Sequence, residues 1–325
     1  MNTLFTDTLS QQFGPRFRLN ELLANHTTFR LGGPAKFWVA PKNVSELVKV
    51  VTVAQRHHVP FFILGGGANL LIRESGFKGL VIQNRANQVK FPDSDHEHGD
   101  SPMTVGVESG VVLPSFARRC AKRGLSGFEW AGGVPGTIGG AVVNNAGAYG
   151  SDMAQILRRA ELLSPTGERV WQPTDWFLYQ YRFSRLKGRT ATLNQNSGQK
   201  QETWIVLQAE LQLIPVPASE IEQRLKQFNT RRKAAQPAGA TMGSMFKNPP
   251  DDYAGRLIEA AGLKGYQVGQ AQISTRHANF FQNIGGATAT DVLTLIETAR
   301  KIVHEKFNIN LELEIEVVGD QSESE

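Results

Sequence analysis

The sequence has little of several things. One cysteine among 325 residues, Cys120, leaves no partner for an internal disulfide, so nothing in the chain requires an oxidising compartment. No run of apolar residues approaches the roughly 18 that a membrane-spanning helix needs. The first residues, MNTLFTDTLSQQFG, lack a basic stretch followed by an apolar one, so no signal peptide is predicted. We therefore expect a cytoplasmic protein that does not enter a membrane.

The chain also lacks a strong charge imbalance. Its 35 basic and 30 acidic residues give a net charge of +5. This mild excess suits an anionic substrate, whereas nucleic-acid binding requires basic residues clustered on one face, so no nucleic-acid partner is expected. The length predicts two or three domains with ample core volume.

Two familiar motifs are missing as well. No G-x-G-x-x-G turn supports a Rossmann dinucleotide site, and no G-x-S-x-G elbow supports a hydrolase. Instead, two glycine-rich segments are present, Gly65–Leu71 (GGGANLL) and Pro135–Gly150 (PGTIGGAVVNNAGAYG). Backbone amides clustered at glycines can cradle phosphate oxygens. The alternative is tight turns in a β-rich protein, but two such segments favour a long ligand with a central diphosphate, such as a dinucleotide cofactor.

Periodicity predicts strands at 35–41, 61–64, 79–83, 104–107, 158–163, 168–171 and 204–213, and helices at 44–57, 113–122 and 288–304. Asn43 is the expected N-cap of the first helix, and a capping box is predicted to start a helix at Ser219. Surface loops are predicted at 86–103 and 190–202. The proline pair Pro215 and Pro217 indicates a domain boundary.

Three further segments carry candidate functional groups. Gly243–Pro249 (GSMFKNP) is either a polar pocket or an ordinary turn. Residues 311–317 (LELEIEV) predict a strand that places Glu312, Glu314 and Glu316 on one face, either solvated or functional. Residues 181–189 (YRFSRLKGR) are either a basic surface turn or an anion clamp, for which arginine is suited.

Two other features carry little functional weight. His96-Glu97-His98 lies in a polar loop without an element to hold ligand geometry, so no metal site is expected. Cys120 falls on the core face of its helix and is expected to be unreactive.

In order along the chain, NHTTFRLGG, GGGANLL, GGVPGTIGGAVVNNAGAYG, YRFS, GSMFKNP, LIEAAGLKG with STRHANFFQN, and LELEIEVVG resemble the UDP-N-acetylenolpyruvoylglucosamine reductase (UDP-N-acetylmuramate dehydrogenase) family. The likeness covers residues 20–319, and NNAGAYG is similar to the second structural subtype. The family's usual proline is Leu313 here and its usual basic residue is Glu316.

The resemblance implies an α+β fold, with a two-subdomain FAD-binding fold of the vanillyl-alcohol-oxidase type followed by a C-terminal α+β substrate-binding domain. The expected boundaries are 17–83, 84–217 and 218–319, with a disordered tail at 320–325 and the strand 311–318 packed back near the flavin. The implied activity belongs to peptidoglycan precursor synthesis. NADPH reduces a non-covalent FAD, which then reduces the enolpyruvyl ether of a UDP-sugar to UDP-N-acetylmuramate.

The resemblance also implies residue roles. Ser244 is the expected proton donor, completed by Arg182 and Glu314, with Glu312 as the alternative carboxylate. The expected substrate-binding residues are Tyr149, Lys247 and Asn248. The expected cofactor-binding residues are Gly65, Gly66, Gly67, Ala68, Asn69, Leu70, Pro135, Gly136, Thr137, Gly139, Gly140, Asn145, Gly147 and Ala148. A monomer or weak oligomer is expected. The remaining alternatives are another flavin oxidoreductase of the same fold and a non-enzymatic anion-binding protein.

Overall fold

The computed structural model describes residues 3–92, 101–187 and 203–319. The helices are α1 (Thr3–Phe13), α2 (Val44–Arg56), α3 (Leu113–Ala121), α4 (Ile138–Asn144), α5 (Met153–Ile156), α6 (Ala218–Ala235), α7 (Ala254–Ala260) and α8 (Ala289–Phe307). The strands are β1 (Phe17–Leu22), β2 (Pro34–Val39), β3 (Phe61–Leu64), β4 (Leu70–Ile72), β5 (Phe77–Gln83), β6 (Val89–Lys90), β7 (Met103–Glu108), β8 (Leu125–Ser126), β9 (Gly147–Ala148), β10 (Ser151–Asp152), β11 (Leu157–Leu163), β12 (Arg169–Pro173), β13 (Ile205–Pro215), β14 (Gln267–Val268), β15 (Ala271–Ile273), β16 (Phe281–Asn283) and β17 (Glu316–Val318). Within these described ranges, none of the helices has the length and apolarity needed to cross a membrane.

The chain forms two compact units. Unit 1 comprises the described parts of Met1–Leu19, Phe37–Gly66 and Gly79–Thr230, and unit 2 those of Asn20–Lys36, Gly67–Lys78 and Arg231–Glu325. The three regions 17–83, 84–217 and 218–319 stay a prediction of domain organisation. The 190–202 loop, the 320–325 tail and part of the 86–103 loop lie outside the described residues.

Helix α2, which belongs to unit 1, lies beside a four-stranded sheet with the order β1-β2-β5-β3, in which β3 and β5 are parallel. The helix begins as predicted, because the Asn43 side chain accepts a hydrogen bond from the Glu46 amide at 2.8 Å. Its inward face follows the 3.6-residue period that the sequence shows, and its buried residues include Leu47, Val50, Val51 and Ala54.

The larger sheet of unit 1 has the order β12-β11-β13-β7-β6, with β8 paired to the end of β13. The predicted strands at 158–163 and 168–171 are confirmed as β11 and β12, which form an antiparallel hairpin around Pro165-Thr166-Gly167. Strand β13 continues through Pro215, which pairs with Leu125, so the predicted end before this proline is wrong. The core on this sheet takes its side chains from the sheet and from α3 and α4, among them Phe116, Ala117, Cys120, Ile138, Val142 and Leu211.

The second glycine-rich segment is more regular than predicted. It contains α4, which begins after Thr137 and ends at Asn145 in the left-handed conformation (φ 44°). Ile138, Ala141, Val142 and Val143 are buried. Apolar residues spaced for one helical face explain why a glycine-containing stretch becomes a helix here.

Unit 2 combines an antiparallel sheet, β14-β15-β16, with α7 and α8. Its core includes Phe246, Leu257, Ile258, Phe281, Val292, Leu295 and Ile296. Strands β4 and β17 form a separate parallel pair, with Glu316 opposite Leu70. The C-terminal strand therefore lies against the strand that follows the first glycine-rich segment.

The predicted strand over 311–318 is wrong in its length, since the strand covers Glu316–Val318 alone. The Glu314 amide donates to the Met245 carbonyl at 3.0 Å, and the Glu316 amide donates to the Asn69 carbonyl at 3.0 Å. The segment changes partner between these residues and bends at Glu314 and Ile315, so one continuous strand is not possible.

The predicted capping box at Ser219 is also wrong. Helix α6 begins at Ala218, one residue earlier. The Glu220 amide donates to the Pro217 carbonyl at 2.9 Å, which places Ser219 inside the first turn. The buried residues of α6 are Ile221 and Leu225.

A cap at α8 is expected to stabilise unit 2. The Thr288 side chain accepts from the Asp291 amide at 3.0 Å, and the Asp291 carboxylate accepts from the Thr288 amide at 2.9 Å. Thr288→Ala should lower the free energy of unfolding by about 1 kcal/mol because one capping acceptor is lost. Exposed Thr290, two residues on, is the control, and its change to alanine should stay within about 0.5 kcal/mol. Urea unfolding followed by circular dichroism measures both; equal losses would contradict the capping role.

Candidate active site

The two glycine-rich segments contact each other within unit 1. A Cβ on Gly65 would lie 2.6 Å from the Thr137 Oγ1, and a Cβ on Gly66 would lie 3.0 Å from the Gly136 Cα. A methyl group at either position would force the neighbouring loop to shift, which explains why glycine suits this close approach. We call residues 65–66 and 135–140 the paired glycine loops.

The paired glycine loops present main chain to the outside. Gly66, Pro135 and Gly140 are exposed, whereas Thr137 is buried at 5%. Not every amide is available to a ligand, because Ile138 donates to the Val111 carbonyl at 2.9 Å and Gly139 to the Ser109 carbonyl at 2.8 Å. These two bonds fix the start of α4 against the β7–α3 connection.

Asn145 and Gly147, both predicted to bind the cofactor, have structural reasons for their identity. Asn145 is 3% exposed; its Nδ2 donates to the Gln180 carbonyl at 3.1 Å, and its Oδ1 accepts from the Ala154 amide at 3.0 Å. A Cβ on Gly147 would lie 2.4 Å from the Ser151 carbonyl oxygen across the β9–β10 hairpin. Ala148 pairs with Ser151 in the same hairpin.

Arg182 is tied to this hairpin. It lies in a tight turn at φ 53°, and its Nη2 donates to the Gly147 carbonyl at 2.8 Å. Its guanidinium carbon lies 5.1 Å from the centre of the Tyr181 ring. Two segments that are separate in sequence therefore fix the position of the predicted anion-binding arginine. Gly188 and Arg189, the end of the predicted basic turn, lie outside the described residues.

Tyr149 follows the hairpin's first strand, in the left-handed conformation at φ 56°. Its ring stacks on Phe228 of α6, with centroids 4.4 Å apart and planes 3° from parallel. Its hydroxyl donates to the Phe228 carbonyl at 3.1 Å. The aromatic ring is thereby held in one orientation against α6.

Within unit 2, the rest of the first glycine-rich segment reaches the C-terminal segment. A Cβ on Gly67, which has φ 61°, would lie 2.1 Å from the His26 carbonyl oxygen. Two residues on, the Asn69 Nδ2 donates to the Glu314 carbonyl at 3.1 Å. Half-buried Ala68 lies between them, and Leu70 begins β4. Asn69 thus connects a predicted cofactor segment to a predicted catalytic residue.

Ser244 and Glu314 are brought together by one short piece of main chain. Ser244 forms an isolated bridge with Phe280, and the next residue, Met245, accepts from the Glu314 amide at 3.0 Å. Two residues further, the Lys247 amide donates to the Glu312 carbonyl at 2.8 Å. The sequence separation of these two catalytic candidates is therefore removed by backbone pairing within unit 2.

The two candidate carboxylates, Glu312 and Glu314, differ in exposure and in their contacts. Lys247 Nζ lies 3.2 Å from Glu312 Oε2, and the Glu312 side chain is 75% exposed. Glu314 is half-buried, and its amide donates to the carbonyl of Met245, the residue that follows Ser244. The exposed Asn248 side chain accepts a hydrogen bond from the Ala254 amide at 3.1 Å through its Oδ1, which provides a partner for the first amide of α7. Of the two candidate carboxylates, Glu314 is therefore the less exposed.

Sequence reasoning missed Asn279. This side chain is 3% exposed and hydrogen bonded to the main chain of Phe246, two residues after Ser244. The signal available in the sequence was an amide between Ala278 and Phe280 in an otherwise apolar stretch.

Burial shifts the pKa of the His277 and Cys120 side chains. Burial lowers the pKa of His277 below its ordinary value near 6.5, and its Nδ1 accepts from the Asn279 amide at 3.3 Å. Burial raises the pKa of Cys120 to about 12, which agrees with the expected inert thiol. Across the described parts of the chain, no three His, Cys, Asp or Glu residues are grouped to hold a metal. The 96–98 segment lies outside them.

Comparison with known proteins agrees with this geometry. Residues 35–172 match the model of an FAD binding domain, and residues 235–318 match the C-terminal domain of UDP-N-acetylenolpyruvoylglucosamine reductase. The chain is 42% identical over 301 residues to the reductase of that name from Chloroflexus aggregans, covering 93% of this chain and 97% of that protein. The Bacillus subtilis reductase is 40% identical over 302 residues, with 92% and 93% covered.

A solved structure is also similar. The UDP-N-acetylenolpyruvylglucosamine reductase of Thermus caldophilus matches with a TM-score of 0.74 and 33% identity, over 93% of this chain and all of that one. Fold and site define an FAD-dependent oxidoreductase with an α+β fold. The chain belongs to the UDP-N-acetylenolpyruvoylglucosamine reductase family.

The described residues fit FAD. The main chain of the paired glycine loops is exposed at Gly66 and Gly140, where no side chain covers it. Beside them in α4, the Asn144 Oδ1 is buried and has no hydrogen-bond partner among the described residues. Close backbone approach and an unsatisfied acceptor suit a ligand that carries both a diphosphate and a heterocycle with N–H groups.

Widening the paired glycine loops should weaken FAD binding. A methyl group at Gly66 must push against the Gly136 backbone, so Gly66→Ala should raise the FAD dissociation constant at least tenfold, about 1.4 kcal/mol. Gly106→Ala is the control, since its Cβ would meet the Lys90 Cβ at an ordinary 3.6 Å outside both loops. Titration of the apoproteins with FAD, read by flavin fluorescence, measures both; unchanged affinity in Gly66→Ala would remove the loops from the cofactor site.

Proposed function

We propose that this chain catalyses the NADPH-dependent reduction of the enolpyruvyl ether of UDP-N-acetylglucosamine-enolpyruvate to UDP-N-acetylmuramate, in peptidoglycan precursor synthesis. The observation that carries the proposal is the placement of Ser244 and Glu314 on either side of Met245. The names of the relatives support the substrate. Cytoplasmic location and a monomeric or weakly associated state remain predictions.

The reaction adds a hydride and a proton across a carbon–carbon double bond. When bound and reduced by NADPH, FAD would supply the hydride, which is added at the terminal carbon of the enolpyruvyl group. The electron pair of the double bond then moves toward the carbon that carries the ether oxygen and the carboxylate. That carbon becomes basic and must receive a proton from a placed donor.

Ser244 is proposed to donate this proton. A hydroxyl is a weak acid, but a carbanion next to a carboxylate is a strong base, so the transfer is feasible. Glu314, half-buried and anchored to Met245, is proposed to orient or stabilise the intermediate. The backbone pairing supports this assignment, because it brings Glu314 to the residue that follows Ser244.

Arg182 is proposed to stabilise the charge that builds on the substrate carboxylate. A planar guanidinium suits a carboxylate better than an ammonium does, because it can bind both oxygens. The bond from Arg182 to the Gly147 carbonyl supports this role, since it limits the arginine side chain to few orientations.

The UDP-sugar is proposed to contact Tyr149, Lys247 and Asn248. Lys247 would provide a cation for the diphosphate, and its pairing with exposed Glu312 orients the ammonium. The cofactor-binding set predicted from the sequence is retained as a proposal, with Asn145 and Gly147 acting through the structure of the hairpin.

Ser244→Ala should separate the two half-reactions. Flavin reduction by NADPH should remain near the wild-type rate, because the hydroxyl serves the second step. Reoxidation of the reduced flavin by the enolpyruvyl substrate should fall at least about a hundredfold, the low end of general-acid catalysis. Anaerobic stopped-flow absorbance measures both steps. Reoxidation at the wild-type rate would show that Ser244 is not the proton donor.

The two carboxylates offer a matched pair. Glu314→Gln should slow substrate reduction at least about a hundredfold if this carboxylate acts in the protonation step. Glu312→Gln removes an exposed carboxylate that pairs with Lys247, so it should mainly raise the substrate KM. Steady-state kinetics on both variants tests which of the two glutamates is the functional carboxylate. A larger loss of kcat in Glu312→Gln would transfer the role to Glu312.

A further inference from the structure

Asn279 binds the main chain that follows Ser244 through three hydrogen bonds. Its Nδ2 donates to the Phe246 carbonyl at 2.8 Å, and its Oδ1 accepts from the Phe246 amide at 2.9 Å. Its own carbonyl accepts from the Met245 amide at 2.7 Å. The side chain therefore pairs with Phe246 as a neighbouring strand would.

The opposite side of this main chain carries the candidate carboxylate. The Met245 carbonyl accepts from the Glu314 amide, and Phe246 forms an isolated bridge with Leu313. Met245 and Phe246 are fully buried, so their peptide groups depend on these partners rather than on water. A shift of this main chain would move Ser244 and Glu314 relative to each other.

Asn279 is itself held rigidly. Its amide donates to the His277 Nδ1 at 3.3 Å, and the Phe280 amide donates to the His277 carbonyl at 2.9 Å. The Ser274 hydroxyl oxygen accepts from the Arg276 amide at 3.1 Å. His277 packs against Gly255, where a Cβ would lie 2.9 Å from the imidazole. These local hydrogen bonds and this packing hold the loop at 274–280, which suits a residue that fixes the position of others.

We propose that Asn279 is a positioning residue for the protonation step, which sets the register of Ser244 against Glu314. The inference rests on the proposed function. Asn279 has no contact with the reacting atoms in this account; it acts through the peptide groups of Met245 and Phe246. A displacement of about 1 Å can cost about a hundredfold in rate, so the loss of this amide should be visible in the chemical step.

Asn279→Asp tests the proposal because its two protonation states differ in one hydrogen bond. The ionised carboxylate cannot donate to the Phe246 carbonyl, whereas the protonated acid offers one O–H donor and one acceptor, as the amide does. Burial favours the protonated form and raises the carboxyl pKa. At about pH 8 we expect substrate-dependent flavin reoxidation at least about tenfold slower than in the wild type. The ratio of variant to wild-type rate should recover toward about pH 5.5.

Flavin reduction by NADPH should change less than about twofold in this variant, since that step does not use Ser244. Asn283→Asp is the matched control. The Asn283 side chain, like that of Asn279, donates to one main-chain carbonyl and accepts from main-chain amides in unit 2; its partners are the Phe29 carbonyl and the Gly285 and Ala287 amides. These bonds do not involve the Ser244–Lys247 main chain, so reoxidation in this control should stay within about twofold.

A double variant separates positioning from general stability. Asn279→Asp placed on Ser244→Ala should add little further loss, because both changes affect the same step. Fully additive losses, equal losses in both half-reactions, or a wild-type rate in Asn279→Asp across the pH range would overturn the proposal. If Ser244→Ala alone leaves reoxidation unchanged, the proposed function of Ser244 fails instead, which the single variant reveals independently.

Discussion

The candidate active site depends on the two-sided hydrogen bonding of one short piece of buried main chain. Met245 and Phe246 are paired with Asn279 on one side and with the segment around Glu314 on the other. Each buried peptide group that lost its partner would cost about 1–3 kcal/mol, so the arrangement is specified as a set. The positions of a serine, a lysine and a carboxylate follow from this pairing.

A second constraint concerns glycine. The paired glycine loops approach so closely that a Cβ at Gly65 or Gly66 would force the opposite loop to shift. At Gly147, the backbone of its own hairpin leaves no room for a Cβ. Glycine in these segments therefore has two origins, backbone contact between loops and local turn geometry. Gly66 and Gly140 also leave exposed main chain, which suits a diphosphate.

Local patterns predicted much of the fold. Asn43 caps α2 because its side chain reaches an amide three residues away, and the hairpin between β11 and β12 follows from three turn residues. Each of these two signals involves residues that are only a few positions apart in the sequence. The capping-box pattern predicts the start of α6 one residue late. A hydrogen bond from the Glu220 amide to the Pro217 carbonyl, rather than the Ser219 side chain, begins the helix.

The site was less accessible to sequence reasoning. The alternation over 311–318 predicted one strand, but its main chain changes partner from Met245 to Asn69, a choice made by residues distant in sequence. The hydrogen bonds of Asn279 with Phe246 and of Asn69 with Glu314 join residues that are distant in sequence, so no periodic pattern predicts them. Ser244 and Glu314 were named through family resemblance; their connection through Met245 required the structure.

The most direct test of this account is a crystal structure of the FAD-bound enzyme with the enolpyruvyl substrate. The account predicts that the Ser244 Oγ lies within about 3.2 Å, or one water molecule, of the carbon that receives the proton, with the Met245 and Phe246 pairing intact. A substrate whose enolpyruvyl group binds away from the Ser244 hydroxyl would contradict it.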